Sequence, residues 1–368
     1  MKKNLIIINK LSLGGAEEFF CELGKRLEGQ CFFAVLENDF SFKINFDLRK
    51  YNIPKYFPRL LKILIKILIL FHLKFKYMNI VCFDNETAII SYLVNRKSTK
   101  VVLHTYLPKF YKTNINLFSK IFSNIYKNSG IISISKTTTR GFENFTKIKN
   151  SFIPIMYNIL NYEKLKLENS LNLNEPIFFL LSRFDKDKNI ELSLKLIFYI
   201  KNSLNQHNIK LFIFGDGSKK NDIFKKIDFY DLNKNVFIKS FQRKPFKFLK
   251  RSDIFLNFSY FEGWSRVVHE CSYLGVRGVS FDCPYGPKEI LFNDLDKKIK
   301  YPSLINNIYL IEVIKNYDNQ NFDNISNEEI NLANLMVEIF KSKFLDKKND
   351  YINKYSQSNE ELMEIISI

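Results

Sequence analysis

The chain has 368 residues, too many for one ordinary core and about right for two domains, and its 46% hydrophobic content can fill both. Its net charge of +18 is unevenly placed: residues 1–150 hold 25 Lys/Arg against 10 Asp/Glu, and residues 151–368 hold 31 against 28. That asymmetry excludes a uniformly basic chain and points to one face meeting a polyanion: an anionic membrane surface, a lipid diphosphate or a nucleic acid.

The opening MKKNLIIINK carries a basic pair, but its apolar run is too short for a signal-peptide core and reads as a buried first strand. Strands are predicted at Leu5–Ile8, Phe32–Leu36, Ile80–Phe83, Val101–His104 and Ile131–Ser135. A second series falls at Ile177–Leu181, Leu211–Phe214, Val236–Ile238, Ile254–Phe258 and Gly278–Phe281. Near-continuous apolar strands separated by helices indicate parallel sheets covered on both faces. Two such series imply two doubly wound α/β domains facing a cleft, joined by the polar stretch Asn161–Glu175. The five cysteines, Cys21, Cys31, Cys82, Cys271 and Cys283, are odd in number and none pairs at metal-ligand spacing, which suits a reducing, cytosolic compartment.

Between the first strands lies RLLKILIKILILF, residues 59–71, the most apolar segment of the chain. Arg59, Lys62 and Lys66 fall at helical spacing on one side. Its longest charge-free stretch is far too short to span a bilayer. Two readings stay open: a helix buried against the first sheet, or one lying in a membrane interface with its lysines on lipid phosphates.

The motifs that carry chemistry sit where strands give way to helices. LSLGGAEEF places Gly14 and Gly15 after the first strand, where the backbone can approach a phosphate, with Glu17 just beyond. His104 closes KVVLH. SRFDKDKN puts Arg183 and Lys188 in the loop after Ile177–Leu181; two fixed cations there can meet the charge on a departing diphosphate. The Asp185 and Asp187 pair in the same loop could hold a divalent metal, but its position inside a second-domain loop makes coincidence the better account. IFGDGSKK reads as a structural turn at Gly215 and Gly217. In FEGWSRVVHE, a helix is predicted to start about Trp264, placing Glu262 at its N-terminus and Glu270 two turns on, both able to accept strong hydrogen bonds from sugar hydroxyls. DCPYGPKEIL adds Asp282, Gly286, Pro287 and Glu289.

Over roughly residues 1–295 this pattern resembles the retaining glycosyltransferases of glycosyltransferase family 4, which have the GT-B fold. The family's E-x7-E signature is matched by Glu262 and Glu270, its Arg and Lys pair by Arg183 and Lys188, its GGxE by Gly14, Gly15 and Glu17, and its Gly-Pro-x-Glu turn by Gly286, Pro287 and Glu289. The resemblance implies Glu262 on the transferred sugar, Glu270 on the ribose, and the backbone of Gly263 and Trp264 around sugar and diphosphate. It also implies donor contact at Gly15 and a cleft-facing His104 near the reacting carbon. Ser182 replaces the family's glycine, Arg277 its proline and Ser240 a further glycine, which unsettles the base-recognition loop at Lys239–Gln242.

The implied organisation is an acceptor-binding Rossmann-like domain over 1–160, a nucleotide-sugar domain over 161–345, and a helix within 346–368 packing back on the first domain. The implied activity is a retaining, metal-independent transfer of a hexose or N-acetylhexosamine, without cofactor, from a nucleoside-diphosphate donor such as a UDP-sugar. A glycan or polyprenyl-diphosphate-linked acceptor in polysaccharide or lipopolysaccharide synthesis fits, with the enzyme peripheral on the inner face of the cytoplasmic membrane. The alternatives are a GT-B sugar-nucleotide epimerase, a phosphorylase (whose cofactor-bearing lysine motif is missing from the sequence), and a non-catalytic basic protein holding nucleic acid. No nucleic-acid module or aromatic-basic motif supports the last.

Overall fold

The computed structural model describes residues 3–12, 14–37, 39, 44–104, 130–146, 153–157, 165–171, 173, 175–242, 244–250, 253–284, 286–315, 318–342 and 355–367. The chain divides into two compact units, Met1–Leu160 with Lys354–Ile368, and Asn161–Asn353.

The first unit runs β1 (Leu5–Ile8), α1 (Gly15–Arg26), β2 (Phe32–Glu37), β3 (Arg49–Ile53), α2 (Arg59–Leu73), β4 (Ile80–Cys82), α3 (Asn85–Val94), β5 (Thr99–Leu103), β6 (Gly130–Ser133) and α4 (Lys136–Thr146). Its sheet has the order β3-β2-β1-β4-β5-β6, and every pairing is parallel. β1 buries all four of its residues, as a central strand covered on both faces must. Leu5 and Ile7 share one core with Leu70 of α2, Ile90 of α3 and Phe142 of α4. On the other face, Phe20 of α1 meets Phe33 and Phe83 edge-on, with ring centroids 5.5 and 5.4 Å apart. Strand order reverses between β1 and β4, which makes the crevice beyond their carboxyl ends the place where such a sheet takes ligands.

The second unit runs β7 (Phe178–Leu181), α5 (Ile190–Asn202), β8 (Leu211–Phe214), α6 (Lys220–Phe229), β9 (Val236–Lys239), β10 (Ile254–Asn257), α7 (Arg266–Leu274), β11 (Arg277–Phe281), α8 (Pro287–Phe292), β12 (Ser303–Ile305), β13 (Ile308–Ile311) and α9 (Asn327–Lys341). Its order is β12-β13-β11-β10-β7-β8-β9, parallel except for the β12–β13 hairpin. Here the reversal lies between β7 and β10, paired through Ile254 opposite Phe178. A last helix, α10 (Asn359–Ser367), belongs to the first unit. Lys100 on β5 donates to the Ile366 carbonyl at 2.9 Å, and Arg26 Nε to Asn359 Oδ1 at 3.0 Å. The segment 343–354 before it lies outside the described residues.

Two Rossmann-like units of the expected doubly wound class are therefore present, with strands added to the prediction: β3, β12 and β13. β3 escapes a hydrophobic reading because only Ile53 of its RKYNI is buried, as suits an edge strand. Several terminal capping devices were legible in principle. Asp84 caps α3 by accepting from Thr87 N at 2.9 Å, and Ser326 with Glu329 forms a capping box on α9.

The segment 59–73 is one helix, α2, which packs on the first core through Leu70 and Leu73 but turns two of its lysines inward. Lys66 is fully buried between Glu37 Oε1 and Glu86 Oε1, each at 2.5 Å, and Lys62 reaches Glu37 Oε2 at 3.3 Å. The placement of these two lysines on lipid phosphates is thereby corrected. Burial pushes the Glu37 carboxyl upward, but the hydrogen bonds and charges of Lys66 and Lys62 outweigh it and hold it below the ordinary range. No helix among the described residues is long and apolar enough to cross a membrane.

Candidate active site

The residues singled out in the second unit sit on loops that leave the switch point of its sheet. After β7 the chain makes a short 3-10 turn at Lys186–Lys188, then Asn189 adopts the left-handed conformation (φ 53°) to enter α5. After β10 it passes through Tyr260–Ser265 before α7 begins. The two loops are joined by backbone, Tyr260 N donating to Asp187 O at 2.9 Å. They are joined again by charge, Lys188 Nζ donating to Glu262 Oε1 at 2.7 Å. Both side chains are largely but not wholly buried, so the pair is shielded and still reachable.

A third loop closes on these two. Gly286 has φ 110°, and a Cβ there would lie 2.8 Å from Ser265 N and 3.5 Å from the Glu262 Cβ. Only glycine allows this approach. Pro287 then opens α8 at its first position, and Glu289 is fully buried in the first turn. Gly215 and Gly217 hold the β7 and β8 ends together: a Cβ at Gly217 would sit 2.7 Å from Phe184 N, while Phe184 N donates to Asp216 O at 2.9 Å. Their structural reading stands on that contact.

Two details of the FEGWSRVVHE reading are corrected. α7 starts at Arg266, because Ser265 keeps a non-helical ψ of 83° while Trp264 turns inward. Glu262 is therefore a loop residue ahead of the helix, and Glu270 lies in its second turn. The buried Trp264 ring donates from Nε1 to His269 Nδ1 at 3.3 Å, with the two rings edge to face. That bond needs Nδ1 unprotonated, in keeping with a His269 pulled down to about 3 by burial and by the neighbouring Arg266 charge. Glu270 accepts from Arg266 Nε at 2.9 Å. Neither His269 nor Arg266 was among the residues picked from sequence; the i,i+4 spacing of Arg266 and Glu270 was the available signal.

Arg183 stands apart from this order. Its side chain is 68% exposed and, among the described residues, pairs with Asp185 at 3.3 Å. It is an exposed cation at the rim of the switch point, whereas Lys188 is held by Glu262. Asp185 is thus turned to Arg183, and among the described residues no three His, Cys, Asp or Glu side chains gather as a metal site.

In the first unit Gly14, Gly15 and Glu17 follow β1 at the switch point, while His104 follows β5. Gly14 is the extended cap residue of α1, and among the described residues a Cβ on Gly15 would meet nothing within 4 Å. Glu17 folds back over Gly14 and accepts from Ser12 Oγ at 3.1 Å. Asp84, not anticipated, links the two strand ends by accepting from Asn9 N at 2.6 Å. β5 ends at Leu103, one residue before His104. The His104 ring packs on Phe83 and Phe19, centroids 5.0 and 5.9 Å away, and its buried Nε2 has no hydrogen-bond partner among the described residues. Burial brings its pKa down to about 4, so the imidazole is neutral at pH 7.

Two departures from the family pattern acquire reasons. Arg277 is buried and donates from Nη1 to Ile339 O at 2.7 Å and Ser342 O at 3.0 Å, satisfying the last carbonyls of α9. Ser240 is exposed, and its carbonyl accepts from Gln242 Nε2 at 3.1 Å.

Residues 161–304 match the model of the family described as Glycosyl transferases group 1. The chain is 28% identical over 297 residues to an uncharacterized glycosyltransferase of Methanocaldococcus jannaschii, covering 72% of this chain and 71% of that protein. It is 25% identical to the N-acetylgalactosamine-N,N'-diacetylbacillosaminyl-diphospho-undecaprenol 4-alpha-N-acetylgalactosaminyltransferase of Campylobacter jejuni, over 58% of this chain and only 56% of that enzyme. Among solved structures, Anabaena HepE in complex with UDP-glucose superposes with a TM-score of 0.69 at 13% identity, covering 100% of this chain and 93% of the other. The chain is a relative of the glycosyltransferases, and its two units have the Rossmann-like folds of their GT-B members.

Proposed function

We propose that this protein is a retaining glycosyltransferase of family 4 that moves a sugar from a nucleoside-diphosphate donor, a UDP-sugar, to a glycan or lipid-linked glycan. The single observation that carries the reading is the Lys188–Glu262 pair at the switch point of the second sheet. A carboxylate that must accept from sugar hydroxyls and a cation that must meet a phosphate are held 2.7 Å apart, each fixing the other. In this reading Lys188 takes the charge that builds on the departing diphosphate, and the exposed Arg183 joins it once the donor is bound. Glu262 accepts from the transferred sugar. Glu270, oriented by Arg266, accepts from the ribose. Gly263, Trp264, Gly286 and Pro287 lend backbone to the diphosphate and sugar, and Glu289 orders the turn beneath. In the first unit, Gly15 and the neutral His104 are the residues proposed to meet a donor.

No metal and no cofactor enters the proposal: the cations of Lys188 and Arg183 do the work a divalent ion would do. The named activity of the Campylobacter relative, on a diphospho-undecaprenol-linked sugar, supports a lipid-linked acceptor in glycan synthesis. The test is a thermal-shift screen of nucleotide sugars on the parent protein and Glu270→Ala. A donor should raise the parent's melting temperature far more than the variant's. No shift with UDP or any nucleotide sugar would sink the reading.

A further inference from the structure

α2 wears its amphipathic pattern in reverse. A helix on the outside of a soluble unit turns its leucines to the core and its lysines to water. Here Lys66, Leu70 and Leu73 are the residues fully buried, and Lys66 is held there by Glu37 on β2 and Glu86 on α3. On the opposite side, Leu60, Leu64, Leu68, Phe71 and Phe75 are between 50% and 78% exposed. Their i, i+4, i+8, i+11, i+15 spacing draws one continuous apolar stripe, about 22 Å long at the helical rise. Rotating the helix half a turn would bury that stripe and free the lysines. The two carboxylates facing Lys66 hold the other choice.

Charge decides what covers the stripe. From Leu48 to Phe83 the sequence contains eight Lys or Arg and no Asp or Glu. Lys62 and Lys66 are neutralised inward, and Lys55 pairs with Asp39, but Arg59 and Lys76 are exposed at the two ends of the stripe. Lys74 Nζ sits 3.9 Å from the Phe71 ring centroid and 5.0 Å from that of Phe75, an ammonium at the border of an apolar patch. A second copy docking through the same face would set these cations against their own likeness. An anionic bilayer offers what the stripe lacks, apolar depth under a sheet of phosphates.

We infer that α2 is a membrane-docking helix that lies in the plane of an anionic lipid surface, its leucines and phenylalanines sunk to the headgroup–acyl boundary and Arg59, Lys74 and Lys76 at the phosphates. The buried lysines serve as the keel that keeps the apolar stripe outward. This adds a partner surface to the proposed transfer and rests on that reading only for the acceptor it would bring within reach.

The test is sedimentation of the full chain with phosphatidylglycerol–phosphatidylcholine vesicles and with phosphatidylcholine alone, for the parent and for Leu64→Gln/Leu68→Gln. The parent should pellet with the anionic vesicles more than with the neutral ones. The double variant should partition on the order of a hundredfold less, since two leucines no longer leave water. Both proteins should show the same UDP-induced melting shift, proving the variant folded. A parent that stays in the supernatant, or a variant that binds equally well, overturns the docking. So does a parent dimer that the variant converts to monomer, which would make the stripe a self-interface. A lost UDP shift in the parent strikes the transfer reading and leaves the docking untouched.

Discussion

Lys188 and Glu262 are 74 residues apart in the chain, and the sheet order brings their charged ends to 2.7 Å across the gap between β7 and β10. Neither residue is held by its own loop alone. The β7–β10 pairing sets the distance between the loops, and the Tyr260 N to Asp187 O bond pins them, so the ion pair inherits its geometry from backbone.

Lys188→Ala should therefore lower kcat/KM by about a hundredfold or more, the usual cost of removing one fixed donor to developing charge. Glu262→Gln should keep much of the packing while weakening donor turnover. Because the two share one interaction, the double variant should lose less than the sum of the singles, with a coupling of about 0.5–3 kcal/mol in a double-mutant cycle on donor binding. Strict additivity would show that the pair does not act as a unit.

Gly286→Ala tests the third loop. The substitution forces a side chain into a φ of 110° and a Cβ to 2.8 Å from Ser265 N. A stability loss of about 1–3 kcal/mol is expected from the backbone alone. The Ser265 contact should also shift the Glu262 loop, so UDP affinity should fall in calorimetry even at temperatures where the variant is fully folded.

Elsewhere in the second unit, Lys195 and Glu329 form a pair 2.8 Å apart with both side chains wholly buried. Lys195 also donates to Asp318 O at 2.9 Å and Asn324 O at 2.6 Å, so α5, α9 and the loop before α9 meet at one ammonium. Lys195→Met strands a buried carboxylate, and the second unit should lose about 3–5 kcal/mol in urea unfolding. Lys195→Met/Glu329→Gln, which removes the stranded charge, should recover a good part of it.

Lys100 gives a pH signature. Burial lowers its amine to about 8, against roughly 10.4 in an unfolded chain. Between those values the unfolded chain holds more protons, so the stability of the first unit should rise with pH from about 8 towards 10.4, and the full penalty should persist below 8. Lys100→Met should lack that rise. Equal slopes in parent and variant would contradict the assignment.

The parallel sheets were legible because their strands are short apolar runs that require no partner to be recognised. The candidate site residues were legible as a cluster because glycines, cations and carboxylates gather at strand ends, and the structure keeps most of them on switch-point loops. What stayed hidden is non-local. Lys66 turns inward only because Glu37 and Glu86 arrive from β2 and α3, and nothing in RLLKILIKILILF announces them. The start of α7 slipped by two residues because Trp264 finds a histidine on the next turn, and so stays out of the helix. β13 was missed although it reads IYLI, since it follows a polar stretch that breaks the βα rhythm.

The return of α10 to the first unit has a consequence for how the protein is made. Lys100 and Arg26 wait for the acceptors Ile366 O and Asn359 Oδ1, which lie more than two hundred residues downstream. On a ribosome the first unit to be synthesised is thus the last to be completed, and the second unit can close while the first still lacks a helix. A fragment ending at residue 160 would lack these acceptors permanently, leaving Lys100 and Arg26 without Ile366 O and Asn359 Oδ1. Any attempt to express the first unit alone should graft residues 355–367 back onto it.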